Sequence, residues 1–271
     1  MNSWLIITVM SILQGLTEFL PISSSGHLAL LSRLFGLPQE TGSSLSIVLH
    51  AGSLLAIVIF YFKTLIGFFR KEQFHLLLMV IAGSVPAGIV GIAMKKSGLI
   101  DLLFGDMLSL AMGFLITASL LRLTGKEKLR SSRNTELNDI TLPQALTVGA
   151  VQAVAIIPGI SRSGSTIAAG ILSGIKFEAA AAFSFLLALP AIFGASLLEF
   201  VELAKDGFDL AGFTVVQLAA AFLISAAVSI ASLTLLIGII RKRKLSWFSW
   251  YLFLIGASII VWQIIANAEG N

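Results

Sequence analysis

The stretch best suited to chemistry in this sequence is Pro158 to Thr166, which places one arginine among glycines and small hydroxyl residues. Arg162 is the only formally charged side chain between Asp139 and Lys176. An arginine inside an apolar segment is costly to bury and therefore marks a functional site. Its planar fork of donors suits phosphate, and backbone N–H groups at a helix start can face the same anion. The stretch predicts a phosphate site.

A second group of reactive residues lies near the N-terminus. Glu18 is the only formal charge before Arg33, and Ser24 and His27 follow it in a Ser-rich turn. Ser24 is a candidate nucleophile that would form a covalent phosphoserine, and an imidazole such as that of His27 can carry protons near neutral pH. His27 itself and water stay open as nucleophiles. Glu18 stays open as a metal ligand, a general base or a residue that orients His27.

Small polar residues surround both groups. We predict that Arg162 clamps a diphosphate and stabilises the charge that develops in phosphoryl transfer. Hydrogen bonds to the phosphates are predicted from Gln14, Ser23, Ser161, Ser163, Gly164 and Thr166. For each serine, turn formation or small-residue packing is the alternative role. Structural or interfacial roles are predicted for His50, His75, Trp247, Trp250, Tyr251 and Trp262.

The composition indicates a membrane protein. The chain has 271 residues, of which 57% are hydrophobic and 12% charged, and its mean hydropathy is +0.97. Apolar windows long enough to span a bilayer recur along its whole length. The net charge of +4 lies in short basic clusters, which are typical of cytoplasmic loops rather than of nucleic-acid binding. The absence of cysteine excludes disulfides, thiolate nucleophiles and Cys-ligated metals, and no cleaved signal peptide is expected because the start lacks a basic region.

Two similar halves are predicted on either side of a basic cytoplasmic loop at 125–141. In the first half, residues 1–124, Pro21 and the serines after it favour a re-entrant hairpin over 1–34 rather than one spanning helix. In the second half, residues 142–271, the corresponding hairpin is predicted over 142–176. Spanning helices are predicted at 45–62, 76–94, 102–123, 179–200, 213–240 and 247–266.

An internal repeat relates the halves. A shift of 138 residues places Gln14 on Gln152 and Gly26 on Gly164. Because each half has three spans, the halves must have opposite orientations, as in transporters built from inverted repeats. We therefore predict an all-α polytopic membrane protein made of two inverted-topology repeats. The loop charges place the first hairpin's entry outside and the second's inside, although Lys95 and Lys96 fall on the less favoured side. If the hairpin tips meet, Glu18 and His27 come close to Arg162.

At these two stretches the sequence resembles the bacterial undecaprenyl-diphosphate phosphatase family of the bacitracin-resistance type. The family pattern of Glu or Gln, three residues, then Glu matches Gln14 to Glu18. Its Pro-x-Ser-Ser-x-Gly-His pattern matches Pro21 to His27, and its Pro-Gly-x-Ser-Arg-Ser-Gly-x-Thr pattern matches Pro158 to Thr166. The resemblance also covers Phe183 to Leu187.

The resemblance implies a multi-pass enzyme of the bacterial plasma (inner) membrane. Such an enzyme removes the terminal phosphate of undecaprenyl diphosphate, a polyprenyl diphosphate lipid, and so recycles the carrier for peptidoglycan and other wall polymers. A divalent cation, magnesium or calcium, is associated with this family, with Glu18 as the candidate ligand here. Gln14, a neutral amide, weakens any proposal of two carboxylates sharing one ion. The site is expected to face the outside.

The alternative function is a transporter or flippase for a polyprenyl phosphate, since inverted repeats and hairpins also occur in transporters. Both functions need an anion clamp, so Arg162 does not distinguish them. A nucleophile and a base close together, Ser24 and His27 with Glu18, favour the enzyme. Spans rich in small residues at 81–93 and 219–232 predict close helix packing. A lipid-tail groove and a homodimer contact are further roles for these spans, and the sequence does not distinguish the two.

Overall fold

A computed structural model of the chain describes residues 3–34, 36, 39–70, 73–125, 135–205 and 212–269, without the side chains of 39–44 and 101. The described ranges contain twelve α-helices. In chain order they are α1 (Ser3–Thr17), α2 (Ser24–Leu34), α3 (Gln39–Phe60), α4 (Phe62–Gly67), α5 (Phe74–Lys96), α6 (Leu99–Gly105), α7 (Met107–Thr124), α8 (Leu142–Val154), α9 (Arg162–Leu172), α10 (Phe177–Lys205), α11 (Val215–Arg241) and α12 (Phe248–Glu269).

Five helices among the described residues are long and apolar enough to cross a membrane. They correspond to α5, α7, α10, α11 and α12, the last including the short turn from Leu245. Large apolar side chains on their outer surfaces are exposed, which is the arrangement expected of lipid-facing helices. The prediction of an all-α polytopic membrane protein is confirmed.

The predicted span boundaries need three corrections. The helix of the first predicted span, 45–62, runs over Gln39–Phe60 and is interrupted at Tyr61 before α4 begins. Its described apolar part, Leu45–Phe60, is shorter than a full span. The span predicted at 102–123 is two helices, because the Asp106 side chain caps α7 by accepting from the backbone N–H groups of Leu108 and Ser109.

Four helices that are each too short to cross a bilayer pair along the chain. They form two hairpins, α1 with α2 and α8 with α9, of which the longest helix has 15 residues. A spanning helix needs about 20 residues. Pro21 lies in the first turn, and Pro158 and Gly159 lie in the second. The two hairpins therefore end within the molecule rather than beyond it.

The hairpins are held at the centre by helices of the opposite half. The first helix of the first hairpin, α1, packs against α11. The first helix of the second hairpin, α8, packs against α5. The second hairpin's α9 is buried along nearly its whole length, from Ser163 to Ile171, between α7, α8 and α10. Each hairpin therefore packs against helices of both halves.

The offset of 138 residues seen in the sequence also relates the helix boundaries. It carries α2, Ser24–Leu34, onto α9, Arg162–Leu172, without any change in length. The inverted orientation of the halves stays a prediction. Most of the basic loop at 125–141, including Lys126, Lys128, Arg130 and Arg133, lies outside the described residues.

Candidate active site

The two hairpin tips meet at the starts of α2 and α9. Ser23 adopts a left-handed backbone conformation, with φ of 69°, immediately before Ser24 begins α2. Ser161 caps α9 by accepting from the Gly164 N–H at 3.1 Å, so Arg162 is the first helical residue. The Ser163 hydroxyl donates to the Leu20 carbonyl at 3.2 Å and joins the tips. Two helix N-termini, which favour anions, therefore lie side by side.

Glu18 is the centre of the contacts between the tips. One carboxylate oxygen, Oε1, accepts from Arg162 Nη2 at 2.5 Å. The other, Oε2, accepts from the Ser24 hydroxyl at 2.6 Å and from Gln14 Nε2 at 2.9 Å. Glu18 is 7% exposed. The structure thus brings together four residues of the predicted site, with a hydroxyl bonded directly to a carboxylate.

A polar layer from α3 and α11 supports this cluster. Gln14 Nε2 also lies 3.5 Å from the Ser53 hydroxyl, which pairs with the Ser229 hydroxyl at 3.1 Å. His50 Nε2 lies 3.9 Å from Glu18 Oε2, within ion-pair range but beyond a hydrogen bond. His50 was predicted to be structural or interfacial, and the structure instead places it at the edge of the site.

His27 lies away from the Glu18 cluster. Its Nδ1 is 2.8 Å from the Ser23 carbonyl, and its Nε2 is 2.6 Å from the Tyr251 hydroxyl. The imidazole also stacks on the Tyr251 ring and meets the edge of Phe114. Both ring nitrogens are therefore engaged with groups other than Glu18 and Ser24. α2 turns this side chain towards Tyr251 on α12 and Phe114 on α7, and the catalytic role of His27 stays a prediction.

The other predicted phosphate-binding residues are buried in the junction between the hairpins. Thr166 donates to the Arg162 carbonyl at 2.7 Å and contacts the Ser184 hydroxyl at 2.5 Å. The Ser23 hydroxyl accepts from the Gly26 N–H at 3.3 Å, and Gly164 packs against Pro21. Together with the capping by Ser161 and the bond from Ser163, these contacts align the starts of α2 and α9. Phosphate binding by these residues stays a prediction.

An apolar cavity of about 880 Å³ adjoins Arg162. It lies between α5, α8 and α10, and its lining includes side chains that are also exposed on the membrane-facing surface, such as Ile81, Val85 and Leu197. Lys95 and Glu199 line it as well, and Lys95 pairs with Glu202 at 2.9 Å. The volume and lining suit a small apolar ligand or part of a larger one.

Comparison with known proteins agrees with this arrangement. The sequence model of the family described as "Bacitracin resistance protein BacA" matches residues 7–258. The chain belongs to this family. The resemblance found in its motifs is confirmed.

Curated relatives of the BacA family match nearly the whole chain. The undecaprenyl-diphosphatase of Halothermothrix orenii is 39% identical over 254 residues, which is 93% of this chain and 95% of that protein. The undecaprenyl-diphosphatase of Carboxydothermus hydrogenoformans is 36% identical over 94% of this chain and 95% of its own length. That of Bacteroides thetaiotaomicron is 34% identical over 97% and 100%. All three relatives carry the name undecaprenyl-diphosphatase.

The divalent cation associated with the BacA family does not fit the donors around Glu18. Both Glu18 oxygens already accept hydrogen bonds, and the Arg162 guanidinium supplies a positive charge beside Oε1. No group of three or more His, Cys, Asp or Glu residues suited to a metal occurs in the part of the chain that the structure describes.

Three residues near the BacA-family motifs were missed by sequence reasoning. His50 had a signal, since Ser46, His50 and Ser53 recur at helical spacing on one face of an apolar helix. Gln152 also had a signal in the sequence, because the 138-residue shift places Gln14 on it. Tyr251 had none, since nothing local distinguishes it from an aromatic residue at the membrane interface.

Proposed function

We propose that the chain is an integral membrane phosphatase that hydrolyses undecaprenyl diphosphate to undecaprenyl phosphate and inorganic phosphate. The observation that carries this proposal is the Ser24 hydroxyl bonded to a Glu18 carboxylate that is itself paired with Arg162. A transporter needs an anion clamp but no hydroxyl held on a base. The names of the curated relatives support the same choice.

In the proposed reaction Ser24 is the nucleophile and Glu18 its general base. The Ser24 oxygen attacks the terminal phosphorus while its proton passes to Glu18 Oε2, 2.6 Å away. The bond between that phosphorus and the bridging oxygen breaks, and undecaprenyl phosphate leaves with the bridging oxygen and the proton held by Glu18. Glu18 then takes a proton from the water that hydrolyses the phosphoserine and returns it to Ser24. Attack by His27 has less support, because both its nitrogens are engaged.

Arg162 and the two helix starts hold the phosphates in this mechanism. Arg162 Nη2 pairs with Glu18, whereas its buried Nη1 has no partner within the described protein. The guanidinium can therefore bind an anion without releasing Glu18. The N-termini of α2 and α9 add favourable electrostatic potential where charge develops in the transition state.

His27 is proposed as a positioning residue rather than a base. A carbonyl can only accept, so Nδ1 donates to Ser23, and in the neutral imidazole Nε2 accepts from the Tyr251 hydroxyl. This chain of contacts holds Ser23 in its left-handed conformation and fixes the start of α2, on which Ser24 lies. Strained backbone of this kind persists only where its surroundings hold it.

The apolar cavity is proposed to receive the part of the prenyl chain next to the diphosphate. Its exposed lining residues on α5 and α10 would let a lipid enter sideways from the bilayer. Because the lining extends to Lys95 and Glu199, towards the C-terminal ends of α5 and α10, the predicted topology lets the cavity reach the outer side of the membrane. The enzyme would then act on lipid carrier that has delivered its cargo outside the membrane.

Phosphate release from the purified protein in detergent tests the proposed function. Detergent removes the two compartments that transport requires, so release from undecaprenyl diphosphate reports hydrolysis alone. We expect release by the wild type and a loss of at least about a thousandfold in Ser24→Ala, which removes the nucleophile. Absence of release by the wild type, together with vectorial movement of the lipid in vesicles, would reverse the assignment.

Trapping the intermediate tests the nucleophile separately. Rapid acid quenching during turnover is expected to leave phosphate on Ser24, detected by peptide mass spectrometry, and none in Ser24→Ala. Glu18→Gln should form little phosphoserine, since the amide cannot take the proton. Phosphate found on His27 would remove Ser24 from this role.

A further inference from the structure

Gln152 is a buried polar side chain that the mechanism above does not use. It lies on α8, is 2% exposed, and neither its Nε2 nor its Oε1 has a hydrogen-bond partner in the described structure. A buried amide without partners is unfavourable, and such groups are uncommon in native proteins. A persistent orphan of this kind indicates a role outside folding.

The surroundings of Gln152 show what that role is. Gln152 and Arg162 both line the apolar cavity, and Arg162 Nη1 is a second buried donor without a hydrogen-bond partner in the described structure. Most other residues of the lining are aliphatic, including Val80, Leu189 and Pro190. Two unsatisfied donor groups in an apolar cavity are complementary to one anionic group attached to an apolar chain.

We propose that Gln152 and the Nη1 side of Arg162 form the subsite for the chain-proximal phosphate of the lipid. This subsite would hold the inner phosphate of the diphosphate substrate and the single phosphate of the product. The proposal rests on the proposed function and extends it by assigning the two phosphates to different groups. Because the amide is covered by protein, the side chain must turn towards the cavity as the lipid enters.

The geometry assigns the inner phosphate to this end of the site for two reasons. Ser24 and Glu18 do not line the cavity, so the phosphate attacked by Ser24 lies outside it. The prenyl chain is apolar, and the phosphate joined to it must be the one nearer the apolar wall. Arg162 belongs to both regions, because its Nη2 pairs with Glu18 and the residue also lines the cavity together with Gln152.

Gln152→Met tests the subsite, because methionine keeps the length and flexibility of the side chain and removes both polar groups. We expect the KM for undecaprenyl diphosphate and the inhibition constant of undecaprenyl phosphate to rise together by about tenfold or more, the effect of losing a hydrogen bond to a charged group. The kcat should change by much less. The inhibition constant of inorganic phosphate, which binds at the Ser24 end, should stay the same.

Gln73→Met is the matched control. The Gln73 Oε1 atom is also buried without a partner in the described structure, but Gln73 does not line the cavity. This variant should leave KM and both inhibition constants unchanged. Neither substitution should lower the melting temperature, since each removes a buried amide oxygen that has no hydrogen-bond partner among the described residues.

Three results would overturn the subsite. An unchanged KM in a folded Gln152→Met protein would show that the orphan amide has no role in binding. A raised inhibition constant for inorganic phosphate alone would place Gln152 at the terminal phosphate. If Gln152→Met does not fold, Gln152→Glu keeps the polarity and adds a negative charge, and its unchanged affinity for undecaprenyl phosphate would contradict the proposal.

Failure of the proposed function is recognised independently. A wild type that releases no phosphate would refute hydrolysis, whereas direct binding of undecaprenyl phosphate still measures the subsite. In that assay Gln152→Met should bind the monophosphate about tenfold more weakly than the wild type and Gln73→Met. Equal binding by all three proteins would refute the subsite without bearing on hydrolysis.

Discussion

At the scale of single residues, Glu18 is defined by what its two oxygens contact. Oε1 is neutralised by Arg162, which lowers the cost of burying the carboxylate, and Oε2 holds the proton of Ser24. Glu18 and Arg162 were both identified from the sequence, because a single charged residue in an apolar segment is unusual whatever its side chain contacts. His27 was identified from its residue type, which predicts proton transfer, whereas only the tertiary structure shows which groups its two ring nitrogens contact.

Gln14 gives a prediction at this scale. Its Nε2 donates to Glu18 Oε2, so Gln14→Glu would replace a donor with a second carboxylate beside the first. Without a divalent cation, we expect phosphate release to fall by about tenfold, equivalent to about 1.4 kcal/mol, because like charges repel. Magnesium or calcium should restore it, since oxygen ligands and negative charge favour these ions.

The control for this experiment is Gln14→Met, which removes the donor without adding charge. Its activity should not respond to the cation, and the wild type should respond far less than Gln14→Glu. The measurement is phosphate release in chelator and in excess magnesium. Equal rates of Gln14→Glu under the two conditions would show that no cation enters between the carboxylates.

At the scale of helices, small residues set how closely the halves approach. A Cβ atom at Gly149 on α8 would overlap the Gly83 carbonyl on α5. At the equivalent contact in the other half, Gly15 on α1 lies against Ser225 and Val228 of α11. The predicted role of the 81–93 and 219–232 segments in close packing is therefore confirmed. The 81–93 segment also lines the apolar cavity, so one helix provides both a packing face and a cavity wall.

Gly149→Val should separate α8 from α5 and displace α9, which carries Arg162. We expect a lower melting temperature, with a cost of about 1–3 kcal/mol from overpacking, and a loss of phosphate release. Gly238→Ala on α11 is the control, since a Cβ atom there meets nothing within 4 Å. Both are measured by thermal unfolding in detergent, and equal melting temperatures would contradict the role of the Gly83–Gly149 contact.

At the scale of the whole molecule, two hairpins enter the bundle and meet at its centre, each packed against a helix of the other half. The shared offset of 138 residues indicates how such an arrangement arises from one repeated unit. Opposite orientation of the halves would bring the two helix N-termini together from opposite sides. The same orientation would place the apolar cavity near the outer surface of the membrane.

Cysteine labelling tests this orientation, because the chain has no cysteine of its own. Lys96 and Lys242 are both exposed and lie near opposite ends of the bundle in the predicted topology. In intact cells, a membrane-impermeant maleimide should label Lys96→Cys and leave Lys242→Cys unlabelled until the cells are opened. Labelling in the reverse order would place the site towards the cytoplasm.

The sequence by itself determined the class of the molecule, the two hairpins and the identity of Glu18, Ser24 and Arg162. Its hydropathy requires membrane-spanning helices, and its prolines interrupt the helices of the hairpins. Isolated polar groups in apolar segments are costly to bury and therefore indicate a functional site. These are local properties of composition and spacing, and they hold whatever the helices pack against.

Only the tertiary structure decided which groups face one another. The approach of His50 to Glu18, the pairing of His27 with Tyr251 and the orphan amide of Gln152 depend on the rotation of α3, α12 and α8 about their axes. A helix that is apolar on most faces carries little periodicity from which that rotation could be predicted. Contacts between helices far apart in the sequence set this rotation. The rotation in turn decides whether a polar side chain faces the substrate or holds another residue in position.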